Sequence, residues 1–378
     1  MPDHRRDVEQ LARIVLDPSA RSVEQVDAEQ LDRLVDTALD HRVAGSLSIA
    51  WRDAGRALPD RLLAATQLAA VDHLRTRQAV DQVAQVLGAA GVRWAIVKGP
   101  VMARRWPHGP AERTYDDLDL LVAPQQLRAA AEALTNAGFR HRNSNWRGFR
   151  QLGVGEIPLD DGSVVIDLHW HLVGLGAQRS QVDLPTLDLL ERGVEVDLGG
   201  TTVRTLCDVD TLVHLCCHDA LAGAQSLMHL RDVHLVASEL PDRIVRDRLI
   251  ETRTARLAAV VLDRVERTFG QLGAAPMSSS VTGDPGWIAL NRVIDRLWAA
   301  TPAAGWTPYP GALAGAGRST ARATFRAAAH DLAESVRAHL GRPTLVSPGG
   351  PLDWTVQAGG DVERERFFDE VAAGSYGW

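Results

Sequence analysis

Residues 114–124 read TYDDLDLLVAP, and the fold turns on them. The stretch predicts a strand ended by Pro124, with Leu118 and Leu120 facing a core and Asp117 and Asp119 sharing the opposite face. Two carboxylates that close repel, by roughly 1 kcal/mol at about 4 Å in water and about 4 kcal/mol at an effective dielectric of 20. Taken alone, the pair also reads as a solvated strand end with incidental acids. Where it is functional, the usual offset is a divalent cation bound through oxygen.

The flanking sequence supplies more strands. VRWAIVKG (92–99) reads as a short buried strand, and PVMARRWP (100–107) as one or two helical turns opened by Pro100. QQLRAAAEALTNAGF (125–139) predicts a helix closed by Gly138. Residues 140–163 are polar, with a possible hairpin and a turn signal at Asp161-Gly162. SVVIDLHWHL (163–172) is a third strand, and VEVDLGGTTVRTL (194–206) a hairpin turning at Gly199-Gly200.

On either side the pattern is helical. Val8, Leu11, Ile14 and Val15 recur at helical spacing, as do Leu31, Leu34, Val35 and Leu39. Asp27 is a candidate N-cap with Gln30 at the capping-box position, and a long helix over 60–90 stops at Gly91. Helices are expected over 208–223, 226–240 and 241–270, a linker over 271–285, then helices over 287–300 and 320–340. The expected organisation is a helical region 1–90, a sheet-bearing core 91–206, a helical domain 207–345 and an extended tail 346–378.

Composition narrows the class. The chain has 378 residues, 45% hydrophobic and 24% charged, as in ordinary globular proteins. A net charge of -7 argues against coating duplex DNA. Cys207, Cys216 and Cys217 make no disulfide framework, the N-terminal stretch has no apolar core, and no apolar run approaches bilayer length. The expectation is a cytoplasmic protein without a membrane partner. Of the 41 basic residues only Lys98 is a lysine, which suggests chance survival or a need for an ammonium point charge.

Several residues gather around the carboxylates. Asp167, on a further apolar strand, supplies the third acid that a two-metal site needs. Lys98-Gly99 ends the preceding strand, where a glycine lets backbone approach phosphate and the lysine adds charge. Arg113 has the reach to grip a triphosphate. His169 and His171 share the face of Asp167 by period two, so they read as zinc ligands or as cleft wall contacting the acceptor. His214, Cys217 and His218 fall at helical spacing beside Cys216 and read as a metal cluster, as acceptor contacts, or as buried packing. Arg140, Arg142, Arg147 and Arg150 with Trp146 and Phe149 read as a single-strand nucleic-acid surface or a solvated loop.

Lys98-Gly99, Trp106-Pro107, Arg113, DDLDLLV (116–122) and IDLHW (166–170) together resemble the nucleotidyltransferase-fold superfamily, closest to the bacterial family of uncharacterised nucleotidyltransferases. TLVHLCCHDA (211–220) and LMHLRDVHLV (227–236) resemble that family's helical part. The resemblance implies an α+β fold with a mixed sheet flanked by helices. It implies Mg²⁺ or Mn²⁺ held by Asp117, Asp119 and Asp167, and an NTP bound at Lys98, Gly99 and Arg113. Asp232 then faces the cleft or serves as an ion-pair partner. Pro100 departs from the superfamily's phosphate turn, because it removes one backbone donor that Lys98 would replace. The expected activity is transfer of a nucleoside monophosphate to a hydroxyl or phosphate of a small natural product or peptide. Alternatives are a toxin-like enzyme acting on tRNA ends and a nucleotide-binding module without turnover.

Overall fold

The computed structural model describes residues 2–106, 113–273, 275–297, 317–318, 320, 322–329, 333, 340 and 358–375. Five helices come first: α1 (Pro2–Leu16), α2 (Ala20–Val23), α3 (Ala28–Asp40), α4 (Ala44–Asp53) and α5 (Asp60–Ala89). The Asp27 carboxylate accepts from Gln30 N–H at 2.8 Å and so caps α3. Gly91, at φ +64°, ends α5, while Val92 N–H and Gly91 N–H satisfy the Leu87 and Gly88 carbonyls.

The strands are β1 (Trp94–Ile96), β2 (Asp117–Val122), β3 (Arg140–His141), β4 (Glu156–Asp160), β5 (Val165–His169), β6 (Val194–Asp197) and β7 (Thr202–Thr205). They form one mixed seven-stranded sheet in the order β3-β4-β5-β2-β1-β7-β6, with helices about it, so the fold is α+β. The central pair β2/β5 runs parallel, and β1 pairs antiparallel with β2. Among the described residues, four helices lie between strands: α6 (Pro100–Arg105), α7 (Leu127–Asn136), α8 (Trp146–Leu152) and α10 (Thr186–Arg192), besides the single turn α9 (Gly176–Arg179).

Period two sorts the sheet's faces. Leu118, Leu120 and Val122 join Ile166 and Leu168 in a core against α5 and α7. On the other face Ala95, Val97 and Leu121 pack into the core of α11 (Asp208–Leu221), α12 (Leu227–Ser238), α13 (Asp242–Glu251) and α14 (Ala255–Phe269). The carboxylates of β2 lie on this second face, toward the helical wall. Helices α1–α4 build a third core that reaches Leu227 and Met228 of α12.

Several expectations need correction. The 140–163 stretch contains helix α8, and its hairpin is β4–β5, turned where Asp161 accepts from the Ser163 and Val164 amides. The single helix expected over 241–270 is broken into α13 and α14 by Arg253, at φ +58°. The expected linker holds α15 (Met277–Thr282), whose Met277 and Val281 are buried, and is followed by α16 (Pro285–Leu297). Of the helix expected over 320–340, residues 322–329 are helical and much of the rest lies outside the described residues. The tail is not simply extended, because Gly360–Ala372 form a helix, here α17.

Helix α17 also corrects the nucleic-acid reading. Trp146 and Phe149 are only 4% and 1% exposed, because Phe367 and Phe368 cover them. Arg150 pairs with Glu363 and Glu370, and Arg128 with Glu365 and Asp369. A buried Phe contributes roughly 1.5–3 kcal/mol, more than a half-exposed ion pair, so the aromatics anchor this helix and the arginines align it. Beside them His141 packs edge-on to Trp146, and burial with the nearby Arg364 pushes it down to about 4 from 6.5. The native state therefore resists a proton that the unfolded chain accepts. This contribution to stability is full above pH 6.5 and is lost as pH falls toward 4. Urea midpoints of His141→Phe should show a shallower acid decline across that window than wild type.

Candidate active site

Asp119 is the centre of the site. Strand register puts it directly beside Asp167, with Asp117 one pleat away on the same face. Its Oδ1 is 3.2 Å from Lys98 Nζ and 3.0 Å from His169 Nε2. His169 Nδ1 in turn lies 3.1 Å from Glu156 Oε2, which β4–β5 pairing sets opposite it. Burial alone would push Asp119 up, but Lys98 and the His169 hydrogen bond outweigh it and hold this carboxyl well below the usual range. Burial likewise opposes the charge on His169, yet Glu156 and Asp119 raise it to about 9, so both of its nitrogens carry protons near neutrality. Lys98 is 16% exposed, and Asp119 and Asp117 overcome its desolvation to keep it charged.

The other two acids behave differently. Burial, then Glu156, raises Asp167 to about 7. Asp117 is also raised, by burial and by Asp119. The repulsion expected within the cluster is thus answered partly by two internal cations and partly by carboxyls that hold protons more tightly. Oδ2 of Asp119 is buried and has no hydrogen-bond partner among the described residues. That orphaned oxygen, with Asp167 near it, fits a hard divalent cation. His169 is the third member of that group, and its Nε2, freed of its proton, would offer a further ligand beside the two carboxylates. Its Nε2 is hydrogen-bonded to Asp119, while Nδ1 faces Glu156 without a hydrogen bond among the described residues.

The remaining candidates fall in three places. Gly99 takes φ +68°, a conformation that favours glycine, and its carbonyl accepts from Arg113 Nη1 at 3.4 Å. Arg113 is buried in an ion pair with Asp232, through Nε at 2.9 Å and Nη2 at 2.8 Å. Both residues therefore brace the turn after β1 against α12. His171 leaves the carboxylate face: β5 ends at His169, and His171 Nδ1 accepts from Val173 N–H at 3.0 Å. The zinc reading of His169 with His171 is therefore not assembled among the described residues. Cys216 and Cys217 are fully buried in the helical core, which is the packing reading. His214 and His218 turn instead toward Lys98 and Asp119, and burial keeps both neutral.

Sequence reasoning missed Glu156, Asp219 and His229. Glu156 sits in a strand hidden by its short length and by Pro158. Asp219 and His229 come together only through the packing of α11 on α12.

A mixed sheet that gathers carboxylates from adjacent strands on one face, beside a lysine at a glycine turn, is a nucleotidyltransferase-like fold. A family model described as uncharacterised nucleotidyltransferase matches residues 27–270, well over half of the chain, and the chain belongs to that family. No curated protein matches it. Among the described residues, no helix is long and apolar enough to cross a membrane.

The two β2 aspartates should respond oppositely to neutralisation. Asp119→Asn removes the carboxylate that Lys98 and His169 share, leaving Asp117 near the one and Glu156 near the other, and should destabilise by about 3–5 kcal/mol. Asp117→Asn relieves repulsion and should be neutral or slightly stabilising. Denaturant unfolding of both variants checks this, and equal effects would contradict it.

Proposed function

We propose that the protein is a Mg²⁺- or Mn²⁺-dependent nucleotidyltransferase that moves a nucleoside monophosphate from an NTP to a hydroxyl or phosphate of a small natural product or peptide. The observation that carries this reading is the buried Oδ2 of Asp119, without a hydrogen-bond partner among the described residues, beside Asp167 on one sheet face. Family membership supports the reaction class.

Asp117, Asp119 and Asp167 would hold the metal, which supplies charge neutralisation on the phosphates and lowers the barrier to displacement. Lys98 binds the triphosphate with a point charge already anchored at Asp119. Gly99 lets the backbone of the turn come close to phosphate, and Arg113 keeps that turn in place through its carbonyl rather than gripping the nucleotide itself. Asp167 completes the metal's shell and helps deprotonate the acceptor hydroxyl. His169 fixes the Asp119 carboxylate in one orientation. A small acceptor is favoured over tRNA because the aromatics of the 140–150 stretch, Trp146 and Phe149, are buried under α17 and so offer no stacking surface.

The test is incubation with each NTP, Mg²⁺ and cell extract, followed by mass spectrometry for a product heavier by one nucleotide. Asp117→Asn should cut turnover at least about a hundredfold while the protein stays folded. Full turnover in that variant, or a mass gain on tRNA alone, would overturn the reading as stated. Lys98→Arg should keep part of the NTP affinity and Lys98→Ala little, as measured by calorimetry with a non-hydrolysable analogue.

A further inference from the structure

Lys98 has a second neighbour besides Asp119. Its Nζ lies 3.4 Å from Nε2 of His218 on α11. An ammonium group has only donors, so this contact requires a lone pair on Nε2. A neutral imidazole then carries its proton on Nδ1, and that atom lies 3.4 Å from Asp219 Oδ1. The same Oδ1 is 3.4 Å from His229 Nδ1, at the start of α12. Asp219 is 1% exposed, so its carboxyl is held in place by the two helices. Burial and Asp232 push this carboxyl well above the usual range, and with the acid proton on Oδ2 the Oδ1 atom is still an acceptor.

His218, Asp219 and His229 also have the proximity of a metal site, with ligand atoms within 4.8 Å of one another. The lysine argues against that use. A cation on His218 Nδ1 would move the ring proton to Nε2 and turn it against the ammonium.

We propose that His218 and Asp219 are positioning residues for Lys98, forming an ammonium–imidazole–carboxyl chain that holds the lysine between the sheet carboxylates and the helical wall. His229 steadies the chain by its approach to Asp219. The ammonium is thereby gripped from both sides of the cleft, with Asp119 supplying charge and His218 supplying direction. This rests on the proposed nucleotidyl transfer in one respect only, that Lys98 meets a nucleotide phosphate.

The composition provides the test. Lys98 is the only lysine, so growth on ¹³C,¹⁵N-lysine gives the full chain a single internal lysine spin system. In wild type this side chain should be ordered and show a through-space contact to the His218 ring. Absence of that contact overturns the proposal, whatever the variants do. His218→Phe and Asp219→Ala should shift and mobilise the Lys98 signal, whereas Asp219→Asn, which keeps an accepting oxygen, should restore it. A purely structural role would lower thermal midpoints without moving that signal, and this result would also overturn the proposal. Zn²⁺ uptake that is lost in His229→Gln would do the same. With a non-hydrolysable ATP analogue, His218→Phe should weaken binding about tenfold and have no further effect in a Lys98→Ala background. Failure of wild type to bind any NTP would defeat the nucleotidyltransferase reading while leaving the Lys98–His218 contact standing.

Discussion

One buried carboxylate, Asp119, organises the molecule. It is 2% exposed, and it is bound on Oδ1 by an ammonium and by an imidazolium. Stranding such a charge without partners costs several kcal/mol, so the three elements that supply it must arrive together. β2 brings the acid, the turn after β1 brings Lys98, and β5 brings His169. Each of these elements is short, and none is stable alone. Their common dependence on one ionised oxygen makes the centre of the sheet an electrostatic unit as well as a hydrophobic one.

The division of labour across the sheet follows from this. One face is apolar throughout the central strands and rests on α5 and α7. The other changes character along β2, from Asp117 and Asp119 to Leu121, so chemistry gives way to packing within one strand. The helices that cover Leu121 also carry the histidines that approach Lys98. The wall of the cleft and the core of the helical domain are therefore the same helices, α11 and α12, used at different turns.

Much of this was legible in the sequence, and the reason is periodicity. The alternation in DLDLL fixed which face Asp117 and Asp119 occupy, and the apolar run around Asp167 placed a third acid beside them. Capping chemistry at Asp27 and the glycine stop at Gly91 were equally local, and both appear as expected. What escaped was set by partners far along the chain. Arg113 read as a free cation because its buried mate, Asp232, is 119 residues away. The 140–150 stretch read as a basic surface because nothing local announces α17. His171 was assigned to the cleft by extending period two beyond His169, where the strand in fact ends.

Helix α17 bears on how the chain reaches this state. It closes over the outer end of the sheet, beside the two-residue strand β3, and its ion pairs span 213 to 241 residues. During synthesis Trp146 and Phe149 leave the ribosome long before Phe367 exists to cover them. At roughly 5–20 residues per second, that interval lasts on the order of ten seconds or more. For that time the nascent protein carries an unshielded aromatic patch, beside an edge strand whose two-residue length offers another chain little to pair with. The arginines at 147 and 150 put positive charge beside that patch, and only when α17 arrives does Arg150 gain its acidic partners.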